Sequence, residues 1–183
     1  MTPREQVEYS ELRATIRERG TARVWIFVVG MVAWGGLATA TSALAATPVA
    51  TLLPLLVAAA AFEAVFALHV GVERIGRYLQ VCYERDAGEA RWEHAAMGFG
   101  RPRGAVGADA LFFTPFLLAA LFNLVPTLIV QPTPPELIFI GGAHALFVVR
   151  LVAARGASSK QREIELRRFE EIRKGWPSSN TAR

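Results

Sequence analysis

The segment VWIFVVGMVAWGGLATATSALAATPVATLLPLLVAAAAF, residues 24–62, contains no aspartate, glutamate, lysine or arginine. A helix of about 20 apolar residues crosses the roughly 30 Å hydrocarbon core of a bilayer. This run is too long for one such helix. It is interrupted at Thr47-Pro48, because proline does not continue a helix interior. The sequence therefore predicts two membrane spans, at about 24–46 and about 49–72.

A second charge-free run, from Ala110 to Pro135, predicts a third span, and a fourth span follows it. The third occupies about 110–130, and the fourth occupies about 136–154. Prolines precede the fourth helix, and Glu136 lies at its start, where a helix N-terminus favours negative charge. With 52% hydrophobic residues and a mean hydropathy of +0.30, the sequence predicts an all-α polytopic membrane protein. Its four transmembrane helices are expected to form two hairpins.

The basic residues predict the orientation of these hairpins. The two short turns, at 47–48 and 131–135, contain no lysine or arginine. Basic residues instead lie before Val24, between the hairpins, and from Arg150 onward. Because positive charge is retained on the cytoplasmic side, we expect both termini and the central segment to be cytoplasmic, in a bacterial inner membrane. The same flanks account for the net charge of +4, so no nucleic-acid partner is expected.

The cytoplasmic pieces are expected to be amphipathic helices. Thr2-x-x-Glu5 is a capping box, and Gly20 is expected to end the first helix. Ser158 is expected to begin a separate C-terminal helix, which carries the i,i+4 pair Glu163–Arg167. Such helices need a surface to cover their apolar sides, which favours docking on each other, on lipid or on another subunit. The resulting segments are a cytoplasmic helix 1–23, hairpin 24–72, a cytoplasmic extension and loop 73–108, hairpin 109–154, and a C-terminal helix and tail 155–183.

Four polar side chains fall within or near the predicted spans: Glu63, His69, Asn123 and His144. Glu63 admits two interpretations. It is a proton- or cation-carrying carboxylate, or it is a protonated acid that forms a hydrogen bond with a neighbouring helix. We expect the polar groups of the second helix to lie on its buried side. Asn123 and the histidines are interpreted as interhelical hydrogen-bonding groups.

Two further features lie on the cytoplasmic side. His69, Glu73 and Arg77 are spaced i, i+4, i+8 on one helix face, with Glu73 and Arg77 in the favourable order for an ion pair. Arg101 and Arg103 lie in a glycine-rich loop and could contact anionic lipid. The glycine pairs Gly35-Gly36 and Gly141-Gly142 are expected to allow close helix packing.

Haem ligation by His69 and His144 is a weaker interpretation than interhelical hydrogen bonding, because the two residues are only approximately matched in depth. No cofactor is predicted. The chain has one cysteine, Cys82, and no GxSxG or HExxH motif, which favours a non-enzymatic role.

The sequence thus favours a small accessory or scaffolding subunit of a larger membrane complex, in contact with lipid and with other subunits or copies of itself. The alternative is a small oligomeric transporter or channel that couples to protons through Glu63. A haem- or quinone-associated electron-transfer subunit is the third interpretation.

Overall fold

The computed structural model describes residues 1–44, 47–84, 92, 95, 108–129 and 131–176. Every regular element within these ranges is helical. In chain order, the elements are helix α1, Pro3–Leu44; a 3-10 turn, Pro48–Thr51; helix α2, Leu52–Leu79; a π-helical turn, Gln80–Glu84; helix α3, Ala108–Ile129; and helix α4, Pro134–Lys174.

Two of the predicted helix boundaries are wrong. Helix α1 continues through Gly20 to Leu44, and helix α4 continues through Ser158 to Lys174. One glycine inside a helix costs only about 1 kcal/mol relative to alanine, whereas starting a new helix carries a separate nucleation cost. The predicted capping box is confirmed, since Thr2 N donates to Glu5 Oε2 at 2.7 Å and Glu5 N donates to Thr2 Oγ1 at 3.3 Å.

Among the described residues, three helical segments are long and apolar enough to cross a membrane: Pro3–Ala43, Pro48–Glu84 and Pro134–Ala157. The described part of α3 supplies a shorter apolar stretch, Phe113–Ile129. The all-helical, membrane-compatible fold class is therefore confirmed. Its finer form, with four spans in two hairpins, remains a prediction.

The chain divides into two compact units. The apolar unit comprises Thr21–Leu68 and Val106–Gly156. Its core contains residues of α2, α3 and α4, namely Leu55, Ala58, Ala61, Phe62, Val65, Phe116, Ala120, Phe147, Leu151 and Ala154. Residues of α1, among them Phe27 and Trp34, pack against this core. The aromatic rings meet edge-on, and Phe62 contacts both Phe116 and Phe147.

Close helix packing occurs at a glycine other than the predicted ones. A Cβ placed on Gly30 of α1 would lie 2.5 Å from Cβ of Ala61 in α2. The predicted pairs, Gly35-Gly36 and Gly141-Gly142, have no described neighbour within 4 Å of such a Cβ. The prediction for these pairs is therefore wrong within a single chain.

The polar unit comprises Met1–Gly20, His69–Ala105 and Ala157–Arg183. Tyr78 stacks edge-on against Phe169, and its hydroxyl donates to Glu8 at 3.0 Å. The π-helical turn shifts the backbone register, and Arg173 donates to the carbonyl oxygen of Val81 within this turn at 2.8 Å. These contacts join residues of α1, α2, the π-helical turn and α4 within the unit.

Candidate functional site

The apolar unit contains an ion pair between two helices. Arg150 of α4 holds Glu63 of α2 through two hydrogen bonds: Nε lies 2.7 Å from Oε1, and Nη2 lies 2.8 Å from Oε2. The guanidinium also lies over two rings of α2, with its central carbon 5.8 Å from the Phe62 ring centroid and 5.2 Å from the Phe66 centroid. A two-pronged arginine–carboxylate contact is among the stronger polar interactions in proteins.

This pair corrects two expectations about Glu63. The carboxylate lies on the exposed side of α2 rather than on its buried side, and the side chains of Glu63 and Arg150 are 49% and 39% exposed. The core side of α2 carries Phe62 and Val65. Residue 63 is turned about 100° from residue 62 on a helix of 3.6 residues per turn. The partner of Glu63 is a basic residue, Arg150, which the charge pattern predicts only as part of the cytoplasmic flank.

A signal for this partner was present in the sequence. Glu63 lies 15 residues after Pro48, and Arg150 lies 16 residues after Pro134. If both helices start at the same membrane surface, the two residues lie about 22 and 24 Å along their helices, at 1.5 Å per residue. Matching depths on two helices could therefore have suggested the pair.

A second polar group is buried in the same unit. Asn123 is 3% exposed, and its Nδ2 donates to the carbonyl oxygen of Thr51 at 2.6 Å. The same Nδ2 lies 3.1 Å from Nε2 of His144, which is buried in α4. Both hydrogens of this amide are thus engaged, and Asn123 joins the start of the second helical segment to α4.

The hydrogen bonds of His144 define its tautomer. Nδ1 lies 2.8 Å from the carbonyl oxygen of Ile140, which can only accept, so Nδ1 carries the hydrogen. Nε2 is then the acceptor for the amide of Asn123, as in a neutral imidazole. Because both ring nitrogens are engaged, neither is presented to a haem iron in this arrangement.

Two threonines extend this group, and sequence reasoning missed both. Thr51 Oγ1 donates to the carbonyl oxygen of Pro48 at 2.7 Å, so its contact with Thr127 at 2.9 Å requires Thr127 to donate. Both threonines are buried. Threonine is common in transmembrane helices, where its hydroxyl usually bonds to its own helix, so composition gave no sign of this contact. Thr51, Asn123, Thr127 and His144 are called the polar network below.

The polar unit contains its own ion cluster. Arg77 is 3% exposed, and its guanidinium donates to Glu165 of α4 and, at 3.2 Å, to Glu73. Arg74 and Gln161 also donate to Glu165, at 3.0 and 2.8 Å. The predicted pair Glu73–Arg77 is thus part of a larger cluster that holds α4 against α2 within this unit.

The pKa of Glu165 reflects two opposing effects. Burial acts to raise the pKa of this carboxyl, whereas the hydrogen bonds from Arg77, Gln161 and Arg74 lower it, and the net result is a pKa below its ordinary value. The carboxylate is therefore held in its charged form by the arginines around it.

The remaining predicted residues are distributed as follows. His69 is half-buried on α2 and belongs to the polar unit, whereas Asn123 and His144 belong to the apolar unit. Arg101 and Arg103, the proposed lipid contacts, lie outside the described residues. Among the residues that the structure describes, no group of three or more histidine, cysteine, aspartate or glutamate side chains could hold a metal ion.

Comparisons with protein-family models, with curated proteins and with solved structures found no match to this chain.

Proposed function

We propose that this protein is a small integral membrane protein that serves as an accessory or scaffolding subunit of a larger membrane complex. The observation that carries this proposal is the engagement of the polar side chains in the apolar unit. Glu63 is bound on both oxygens by Arg150, and Asn123 and His144 bind each other and the backbone. Such interhelical contacts hold helices in one arrangement and contribute about 0.6 to 2 kcal/mol each.

The proposed location is a bacterial inner membrane, with both termini in the cytoplasm. The distribution of lysine and arginine supports this orientation. The polar unit, which carries both termini, would then be the cytoplasmic part, and its exposed side chains would be available to soluble or peripheral partners. Lipid is the other expected contact, because large apolar side chains such as Trp25, Phe122 and Phe139 are exposed on α1, α3 and α4.

The ion pair counts against the alternative in which Glu63 carries protons or cations. Both oxygens of Glu63 are occupied by the guanidinium of Arg150. A proton or cation would reach the carboxylate only if this pair opened, and a transport cycle would have to open and close it. A scaffold needs no such step.

The proposal is tested by purifying the affinity-tagged full chain from its native membrane in a mild detergent or in native lipid discs. Other membrane proteins should co-purify in fixed ratio, and Asn123→Leu should reduce their yield, because it breaks the polar network. Val32→Ala, on an exposed face of α1, is the matched control and should leave the yield unchanged.

The transport alternative is tested with Glu63→Gln in sealed vesicles. A scaffold should show no proton flux above protein-free vesicles, either as wild type or as the variant. Proton flux in the wild type that is lost in an assembled Glu63→Gln protein would overturn the scaffolding proposal.

A further inference from the structure

The exposed half of the Glu63–Arg150 pair needs a covering surface. Counted along the helices from Pro48 and Pro134, the pair lies about 22 to 24 Å from the outer surface, which is about 6 to 8 Å inside the cytoplasmic edge of a hydrocarbon core of roughly 30 Å. A carboxylate inside the core normally faces other protein or a water-filled cavity, whereas an arginine near the edge can extend its guanidinium to the aqueous surface. Yet the two side chains remain 49% and 39% exposed after the chain has folded.

The exposed residues beside Glu63 on α2 are small. On α2, the exposed neighbours of Glu63 three residues before and four residues after it are Ala60 and Ala67. On α4, Ala153 is exposed three residues after Arg150, and the larger Leu146 is exposed four residues before it. Elsewhere the exposed side chains of the apolar unit include the large Trp25, Phe122 and Phe139. Small residues allow another helix to approach closely, and they bring its polar groups within reach of the ion pair.

The charges identify the partner. One positive and one negative side chain lie side by side at nearly equal depth, so the line that joins them runs along the membrane plane. A two-fold axis along the membrane normal reverses such a line, and it brings the carboxylate of one copy opposite the guanidinium of the other. Positive-inside orientation gives all copies the same direction in the membrane, which is what this axis requires. The face is therefore complementary to itself.

We infer that the face formed by Ala60, Glu63 and Ala67 of α2 with Arg150 and Ala153 of α4 binds a second copy of this chain in parallel orientation. The two ion pairs then form a cluster of four alternating charges that is shielded from lipid. This inference rests on the proposed scaffolding function, because it names one partner within the assembly and the surface that binds it.

The test is cysteine cross-linking in native membranes, in a Cys82→Ser background of the full chain. Ala60→Cys and Ala67→Cys should each give, on oxidation, a product of twice the 20.0 kDa mass of the chain. Val32→Cys on α1, whose side chain is also exposed, is the matched control and should give none. Equal cross-linking at Val32 and at Ala67 would overturn the inference, because it would indicate random collisions.

Charge variants then test the complementarity itself. In the Ala67→Cys background, Glu63→Arg alone and Arg150→Glu alone place like charges across the interface, and each should lower the dimer yield about tenfold. Co-expression of the two differently tagged variants should restore a mixed dimer. The double variant Glu63→Arg with Arg150→Glu keeps the pair within one chain and should dimerise by itself, which separates interface effects from misfolding.

The outcomes separate this inference from the proposed function. A cross-linked product with another membrane protein in place of the dimer overturns the second copy as partner but supports an accessory subunit. A dimer insensitive to every charge variant overturns the role of the ion pair. A charge-dependent dimer supports the inference, and whether further subunits co-purify then decides the proposed function separately.

Discussion

Arg77 is a nearly buried cation whose charge is balanced by Glu165 and Glu73. Removing one partner from a buried ion pair leaves the other charge uncompensated, which costs about 3 to 5 kcal/mol. We expect Glu165→Ala to lower the free energy of unfolding of the full chain by roughly 3 kcal/mol, since Glu73 still accepts from Arg77. The loss is measured by thermal unfolding in a fixed detergent.

The matched control for Glu165 is Glu163, two residues away on the same helix. Glu163 pairs with Arg167 at 2.6 Å, but both side chains are more than 70% exposed. Exposed helix pairs contribute about 0.3 to 0.5 kcal/mol, so Glu163→Ala should change stability little. Equal losses for the two variants would contradict a special role for the buried cluster.

The same carboxylate predicts a dependence of stability on pH. The pKa of Glu165 is lower in the folded chain than its ordinary value, because the hydrogen bonds from Arg77, Gln161 and Arg74 outweigh the effect of burial. Its contribution to stability is therefore complete above the ordinary carboxyl pKa of about 4.3, and it is lost as the pH falls through the lower folded value. The Tm of wild type should exceed that of Glu165→Gln at pH 6, and the gap should shrink below about pH 4. A constant gap down to pH 3 would contradict this assignment.

At the scale of elements, the contact of α1 with α2 depends on Gly30. A Cβ on this residue would lie 2.5 Å from Cβ of Ala61, which is closer than two carbon atoms in van der Waals contact can lie. Gly30→Ala should therefore destabilise the chain by about 1 to 3 kcal/mol, as overpacking does in a well-packed interior. Gly35→Ala is the control, since that position has no described neighbour within 4 Å, and it should be neutral or slightly stabilising.

A compensating change sharpens the same experiment. Ala61→Gly removes the atom that Gly30→Ala would meet, so the double variant should recover most of the lost stability. Both changes are read out by the Tm of the purified protein in one detergent. If Ala61→Gly gives no recovery, then the loss at Gly30 comes from some contact other than this one.

The helices could be predicted from the sequence better than their ends. A charge-free run has a length that the bilayer sets, so the apolar parts of α1, α2 and α3 follow from composition. Helix α4 follows from the prolines and Glu136 at its start. Gly20 and Ser158 are local signals, and in the structure continued backbone hydrogen bonding outweighs them. Gly30 could not be distinguished from Gly35 or Gly36, because the choice depends on how α1 is rotated against α2.

At the scale of the whole molecule, contacts between helices could not be predicted from single segments of the sequence. Glu63 and Arg150 are 87 residues apart in the chain, and the pattern around each residue carries no sign of the other. The sequence predicts that Asn123 and His144 are polar groups in apolar helices. Their mutual contact, however, depends on the relative depth of α3 and α4. Depth, counted from the two short turns, is the physical quantity that links such residues.

Depth also predicts the topology. If α2 and α4 both start outside, Glu63 and Arg150 lie about 22 and 24 Å from that surface and meet. If α3 does not cross the membrane, α4 runs in the opposite direction, and the two residues lie at depths that differ by roughly 16 Å in a core of about 30 Å. The contact at 2.7 Å supports the first case. Four spans are therefore expected, although α3 has the shortest apolar stretch.

Reporter fusions distinguish these topologies. With four spans, fusions at Thr47 and Thr133 should be active only for an enzyme that works outside the cytoplasm. Fusions at Gly88 and Arg183 should fluoresce with a reporter that matures inside, because lysine and arginine flank these sites and are absent from both short turns. Thr133 is the deciding position, and Thr47 is its control, since it lies outside in either topology. A cytoplasmic signal at Thr133 with an external Arg183 would mean three spans, and the Glu63–Arg150 pair would then have to be abandoned along with the dimer built on it.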